Sequence, residues 1–252
     1  MHCYGAKPDV FDSRDHVAMP PARGLLLATE IDLRQYDAPI RDQGQEGCCT
    51  MMAGSALLHW LFRAFKGMDL IFSPQFGYRA ERIVEGTVKE DAGAQSRTMM
   101  AVLHDTGLCL EQSLPYKDTG WTEPTTEAQL NEAQKYRIGA YHRVPNLNTL
   151  LSVLSSGYPA SLAIAVYESF ESDAVARTGL VTVPNKAREE LLGYHEVAVM
   201  GMSHIKKQLL VRNSWGTEWG DKGYFWLPFD YWQDGLVCDS WLAHLGSPWK
   251  AL

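Results

Sequence analysis

Residues 49–66 are apolar on nearly every side when wound as a helix, because Met51, Met52, Ala53, Leu57, Leu58, Trp60, Leu61, Phe62 and Phe65 leave no polar face. A helix of that kind belongs in the middle of a core, and Gly67 is a natural stop. Ser73 and Pro74 supply the N-cap and first-turn pair of a second helix, through about residue 83. A third helix is expected over 96–104, with Gly107 near its end. Leu147, Leu150, Leu151 and Leu154 recur at helical spacing in a fourth, closed by Gly157. After Pro159 the pattern changes. Residues 161–167, 196–202, 208–212 and 224–227 are short apolar runs, partly β-branched or aromatic, separated by glycine-rich or polar turns, and they predict an antiparallel sheet. Helices first and strands later imply an α+β fold of two lobes, with a site in the cleft between them. Ahead of the first helix, residues 5–23 read as an extended arm, 31–34 as a short strand and 41–47 as a polar loop. The chain reads as one domain over 1–252: an arm over 1–30, a helical lobe over about 40–125 and a β lobe over about 126–252.

Composition narrows the function. Hydrophobic residues make up 46% and charged residues 21% of the 252, which is ordinary globular usage and excludes a disordered or collagen-like chain. A net charge of −7 argues against a nucleic-acid partner, whose binding surface should be basic. No apolar run reaches the ~18 residues of a membrane span; the longest near the N-terminus is 24–28. Residues 1–15 lack the apolar stretch of a signal peptide, so synthesis in the cytoplasm is expected. The five cysteines, Cys3, Cys48, Cys49, Cys109 and Cys238, are odd in number and scattered, which implies a reduced compartment rather than a disulfide scaffold. The Met51-Met52 and Met99-Met100 pairs read as core filler, and Trp232, Trp241 and Trp249 as packing for the C-terminal tail.

The candidate chemistry starts at the join of the polar loop and the first helix. Backbone N–H groups at a helix N-terminus are unpaired and favour a thiolate, one recognised way of making a cysteine nucleophilic. Position alone does not separate Cys48 from Cys49. Such a nucleophile needs a base, and the base needs an orienter. Among the eight histidines, His195 differs from the rest by opening a strand, and the next strand ends at Asn213, whose amide oxygen would fix an imidazole. Two Trp-Gly pairs, at 215–216 and 219–220, make an unusual string for a loop. No spacing suits a metal site.

These segments resemble the papain-like cysteine proteases. The string DQGQEGCC (42–49) is similar to the loop before that family's nucleophile, GYHEVAVMGM (193–202) to its histidine strand, and NSWGTEWGDKGYF (213–225) to its asparagine segment. His195 lies 146 residues after Cys49 and 18 before Asn213, within the spacing known for papain-type enzymes. Ser73-Pro74-Gln75, Gly107 to Glu111 with Pro115-Tyr116, and KPD and SRDH in the arm add to the likeness, the last two resembling bacterial members. The resemblance implies a papain-like two-lobed fold and a peptidase. It would make Cys49 the nucleophile, His195 the base and then acid, and Asn213 the group that holds the ring. Gln43 would be an oxyanion donor together with the Cys49 N–H, Trp215 a cover over the His–Asn bond, and Gly93 a lining of the substrate groove.

The departures matter as well. Glu46 stands where a disulfide cysteine is usual, Thr50 where tryptophan is usual, Cys48 replaces a serine, and Glu196 replaces a small residue and is expected to face away from His195. About forty residues precede Gln43, without the long helical pro-segment of lysosomal relatives. Restraint by a separate inhibitor or immunity protein, or delivery to another cell as a bacterial effector toxin, is therefore expected. The partners implied are a protein or peptide substrate, with no cofactor and no metal. The competing readings are a non-catalytic homologue that binds peptides, and another Cys-His acyl transferase. The latter class usually orients its histidine with aspartate, which Asn213 argues against.

Overall fold

The structure is a computed structural model that describes residues 3–19 and 28–246. In chain order the elements are β1 (Ala6–Lys7), β2 (Glu30–Asp32), α1 (Cys49–Lys66), α2 (Pro74–Val84), β3 (Ala94–Gln95) and α3 (Ser96–Ala101). There follow α4 (Glu127–Ala133), β4 (Ala140–Arg143), α5 (Leu147–Ser155), β5 (Ala160–Tyr167) and α6 (Asp173–Thr178). The chain continues through β6 (Leu191–Ser203), β7 (Gln208–Arg212), β8 (Tyr224–Pro228), α7 (Asp230–Gln233) and β9 (Val237–His244). Helix α1 matches its sequence pattern. Every residue from Cys49 to Phe62 is buried, and Gly67 ends the helix in the left-handed region at φ 65°. The Ser73 hydroxyl caps α2 by accepting from the Phe76 N–H at 3.1 Å.

A seven-stranded sheet runs β4-β9-β5-β6-β7-β8, with β2 added to the end of β6; its pairings are antiparallel. This is the expected α+β fold, with α1 packed on β6. Three sequence readings need correction. The third helix stops at Ala101 and widens into a π turn over Val102–Thr106, which Gly107 closes by reaching back to the Val102 carbonyl at 2.8 Å. His195 does not open its strand: β6 begins four residues earlier, at Leu191, and His195 pairs with Ile164 in its interior. Trp241 does not pack a tail. It is buried within β9, a strand the pattern did not separate from its surroundings, whereas Trp249 and most of 24–28 lie outside the described residues. The methionine pairs are core residues as read.

The chain entering the loop before α1 is tied to the sheet by a buried ion pair. Arg212, at the end of β7, donates to Asp37 Oδ2 at 2.9 Å and to the carbonyls of Ala38 and Pro39, while Tyr224 Oη donates to the same Asp37 oxygen at 2.6 Å. Removing one partner of a buried pair strands the other. The variant Arg212→Met is expected to lose about 3–5 kcal/mol in urea unfolding. A loss under about 1 kcal/mol, the range of exposed pairs, would contradict this role.

Candidate active site

The loop before α1 is zipped to the segment after β7. Gln43 N donates to the Ser214 carbonyl at 2.9 Å, Gly216 N to the Arg41 carbonyl at 3.1 Å, and Asp42 bridges to Trp215. Helix α1 therefore starts beside the Asn213–Trp215 turn, with its N-terminus facing β6. The adjacent thiols part company there. Cys48 is the N-cap residue, is fully buried and meets Tyr116 Oη at 3.4 Å. The Cys49 sulfur instead sits within hydrogen-bond reach of the backbone N–H groups of Glu196, the residue after His195, and of Gly5.

His195 Nε2 lies 2.8 Å from Asn213 Oδ1, an oxygen that also accepts from the Ser214 N–H at 2.8 Å. An amide oxygen only accepts, so Nε2 carries the proton in this pairing. Trp215 stacks on the imidazole, with ring centroids 4.9 Å apart and planes at 28°, and walls off that bond. The Gln43 amide is oriented by Ser214, whose hydroxyl donates to Oε1 at 2.6 Å. Its Nε2 donates to the Glu46 carbonyl at 2.9 Å and the Cys3 carbonyl at 3.2 Å. Cys49, His195, Asn213, Gln43 and Trp215 thus gather at one junction, and Gly93 lies on the facing wall.

That wall is covered by the chain's own arm, which sequence reasoning read only as extended. From Cys3 at Gln43, the arm passes Tyr4, whose ring meets the edges of His195 and Trp215 at 6.2 Å and whose hydroxyl donates to Glu171. Gly5 then wedges between Gly47 and Gly93. A Cβ on Gly5 would collide with the Gly47 carbonyl, and one on Gly93 with the Gly5 carbonyl. The Gly5 carbonyl accepts from the Ala94 N–H at 2.8 Å, and β1 continues parallel to β3. Farther along, Arg143 clamps the arm by donating to Asp9, Asp15 and the β9 residue Asp239. The sequence signals for this were the small residue at Gly5 and the spaced aspartates Asp9 and Asp15 that follow it. Ser214 was given no role beforehand, and Tyr116, which donates to the Gln43 carbonyl at 2.7 Å, was read only as part of the family likeness.

Burial dominates the electrostatics. It pushes the Cys49 thiol up to about 12, a rise opposed by the N–H groups of Glu196 and Gly5 and reinforced by the charges of Glu196 and Glu81. The sequence reading expected a depressed value; beneath the arm the desolvation of the sulfur prevails. Burial also raises Glu46 to about 7 and Glu196 to about 8. Glu196 faces away from His195 as expected, its carboxylate accepting from Ser96 Oγ while Asn213 holds the imidazole. All five cysteines are free thiols. Among the described residues, no cluster of three or more metal-ligating side chains and no membrane-spanning helix occurs.

A helical lobe bearing a thiol at a helix N-terminus, set against a sheet bearing a His–Asn pair, defines a thiol hydrolase architecture. The chain belongs to the papain family of cysteine proteases, whose family model matches residues 27–234. It is 32% identical to an uncharacterized peptidase C1-like protein of Acanthamoeba polyphaga mimivirus, over 92% of this chain and 73% of that protein. To cysteine proteinase 3 of Entamoeba histolytica it is 26% identical, over 79% of this chain and 62% of the relative's length. It spans a similar share, 61%, of the cysteine endopeptidase Rep1 of Oryza sativa. Among solved structures, xylellain, a cysteine protease from Xylella fastidiosa, superposes with a TM-score of 0.90 at 30% identity, covering 97% of this chain and 96% of that one.

The wedge at Gly5 carries a direct prediction. In Gly5→Val the side chain has no room beside the Gly47 backbone, so the arm should lift and the sulfur regain solvent. Each unit by which its pKa then falls raises the thiolate fraction at pH 7 tenfold, and Cys49 alkylation by iodoacetamide should accelerate by at least ~10-fold. An unchanged rate, read by mass spectrometry of the Cys49 peptide, would mean that the arm does not cover the thiol.

Proposed function

We propose that this chain is a cysteine endopeptidase in which Cys49, His195 and Asn213 act as one unit once the arm leaves the groove. Asn213 fixes the ring with Nε2 protonated, and Nδ1 is then the nitrogen that exchanges a proton with Cys49. The thiol passes its proton to His195, and the sulfur bonds to the scissile carbonyl carbon. The developing oxyanion is held by Gln43 Nε2 and the Cys49 backbone N–H. His195 returns the proton to the leaving amine as the C–N bond breaks, which leaves a thioester on Cys49. Water, deprotonated by His195, attacks the thioester and releases the acid and the thiol.

The observation that carries this reading is the Gln43 amide. It is fixed by Ser214 and already spends Nε2 on a peptide carbonyl, that of Cys3, beside the sulfur. A scissile carbonyl entering the groove would take the same donor. The Cys3–Tyr4 peptide is protected by polarity, because β1 runs parallel to β3, and a substrate of opposite polarity would run antiparallel. Gly93 lines this groove, and Trp215 shields the His–Asn bond from water.

The proposal includes a regulatory consequence. An inhibitor or immunity protein of the kind expected for an effector toxin would compete with the arm for one surface, and copurification of a partner with the untagged chain checks this. Two activity tests follow. Removing the Gln43 donor, as in Gln43→Ala made on the Gly5→Val chain whose arm is already lifted, should lower kcat by about 10²–10³ while leaving Cys49 alkylation nearly unaffected. Against a proteome, the wild-type chain should create new N-termini that Cys49→Ala does not. Cleavage by both chains would exclude Cys49 as the nucleophile, and cleavage by neither would favour the peptide-binding homologue.

A further inference from the structure

Helix α2 carries a polar stripe on its buried side. Gln75, Tyr78 and Arg82 follow one another at intervals of three and four residues, so they share one face of the helix, and all three are buried. Polar side chains are buried where they find partners, and these reach into the loops around the groove. Gln75 Nε2 donates to Glu46 Oε1 at 2.9 Å, in the loop before α1. The Arg82 guanidinium stacks on the Tyr78 ring, 4.3 Å from its centroid, and donates to the carbonyls of Val88, Glu90 and Trp121. Tyr78, between the two, reaches the groove itself.

The slot that holds Gly5 has two backbone walls, Gly47 on the α1 side and Gly93 on the β3 side. One continuous run of hydrogen bonds joins them from behind. The Gly47 N–H is shared between both carboxylate oxygens of Asp91, at 3.1 Å each. The Tyr78 hydroxyl donates to Asp91 Oδ1 and accepts from the Gly93 N–H at 2.9 Å. A Cβ on Gly47 would meet Asp91 Oδ1 at 3.0 Å and Tyr78 Oη at 3.3 Å, so that wall rests directly on the pair. Gly93 holds φ at 68°, a left-handed conformation that costs glycine little, and Tyr78 holds it there by the N–H. No disulfide shares the task, since all five cysteines are free. Hydrogen bonds to a carboxylate are the strong kind, which suits them to it.

We propose that Tyr78 and Asp91 are positioning residues that set the spacing of the two walls, and with it the affinity of the groove for an extended peptide. The inference rests on reading this groove as the peptidase site. A peptide in the slot lies between the Gly47 and Gly93 backbones, where Gly5 lies now. The Ala94 N–H, which holds the Gly5 carbonyl at 2.8 Å, follows directly on Gly93 and is placed by the same bridge. Without the Tyr78 hydroxyl, Gly93 loses its partner and Asp91 keeps only Gly47. Without the Asp91 carboxylate, Tyr78 keeps Gly93 but is severed from Gly47. A bridge cut at either link is cut altogether, so the second cut adds little to the first. A peptide that enters loosened walls must order them, and that cost falls on binding rather than on the chemical step.

The test compares Tyr78→Phe, Asp91→Ala and the double variant, each made on the Gly5→Val chain, with fluorogenic peptidyl amides as substrates. The expected result is a KM at least ~10-fold higher in each single variant, the loss of a hydrogen bond to a charged group, with kcat changed less than ~3-fold. The double variant should match the single ones within ~2-fold; penalties that multiply would mean two independent sites of damage and overturn the bridge. Iodoacetamide is too small to need the walls and should alkylate Cys49 at the parent rate. A fall in that rate equal to the fall in kcat/KM would place the effect at the nucleophile and overturn the inference. So would an unchanged KM in both single variants, with the peptidase reading intact. Tyr78→Phe keeps the ring beneath Arg82, and Asp91 is exposed, so Asp91→Ala decides if the tyrosine variant fails to fold. If the parent turns over no substrate, the peptidase reading falls, and peptide Kd on the same chains carrying Cys49→Ala judges the bridge alone. Binding weakened ~10-fold then supports it, and equal binding overturns it.

Discussion

The contact between the N-terminus of α1 and strand β6 is the constraint on which the rest depends. One partner brings a cysteine at a helix N-terminus that no side chain caps, and the other brings a histidine held from behind by an amide. The two are 146 residues apart in sequence and meet only because α1, buried from Cys49 to Phe62, has nowhere to lie except against the sheet. The zipper from Arg41 to Trp215 then fixes the rotation of that junction, since Gln43 and Asn213 are tied through Ser214. Packing sets where the groups are, and hydrogen bonds set which way they point.

The same contact explains why some of the molecule could be read in advance. Helices α1 and α2 carry their own boundary chemistry, Gly67 and Ser73-Pro74, and their limits follow locally. The strands after Pro159 were visible as apolar runs because the sheet buries them on both faces over much of their length. Where tertiary pairing decides, local pattern was silent. β4 has half-buried residues throughout and exists because β9 pairs with it, and β6 starts early because β5 extends to Tyr167 beside it. The cluster of Cys49, His195, Asn213, Gln43 and Trp215 was legible through family likeness. The occupant of the groove was not, because Cys3, Tyr4 and Gly5 have no meaning until Gly47, Gly93 and Gln43 are placed around them.

That occupant changes the electrostatic account. A helix N-terminus favours a thiolate, yet burial of the Cys49 sulfur outweighs the backbone N–H groups of Glu196 and Gly5 that favour the charged form. The arm thus fills the groove beside the buried Cys49 thiol and donates a backbone N–H to its sulfur. Its grip is spread over Tyr4 with Glu171, Lys7 with Glu85, and the Arg143 clamp. The buried acids under it, Glu196 above all, are kept neutral by the same exclusion of water.

The central claim is that Cys49 and His195 form one titrating pair when the arm is lifted. The most direct measurement is the pH profile of Cys49 alkylation by iodoacetamide in Gly5→Val, with and without His195→Ala. The account predicts that the His195 chain stays reactive well below pH 7, because an imidazolium sustains the thiolate there, and that His195→Ala reacts only as pH approaches the ordinary thiol range near ~8.5. Superimposable profiles for the two chains would contradict it.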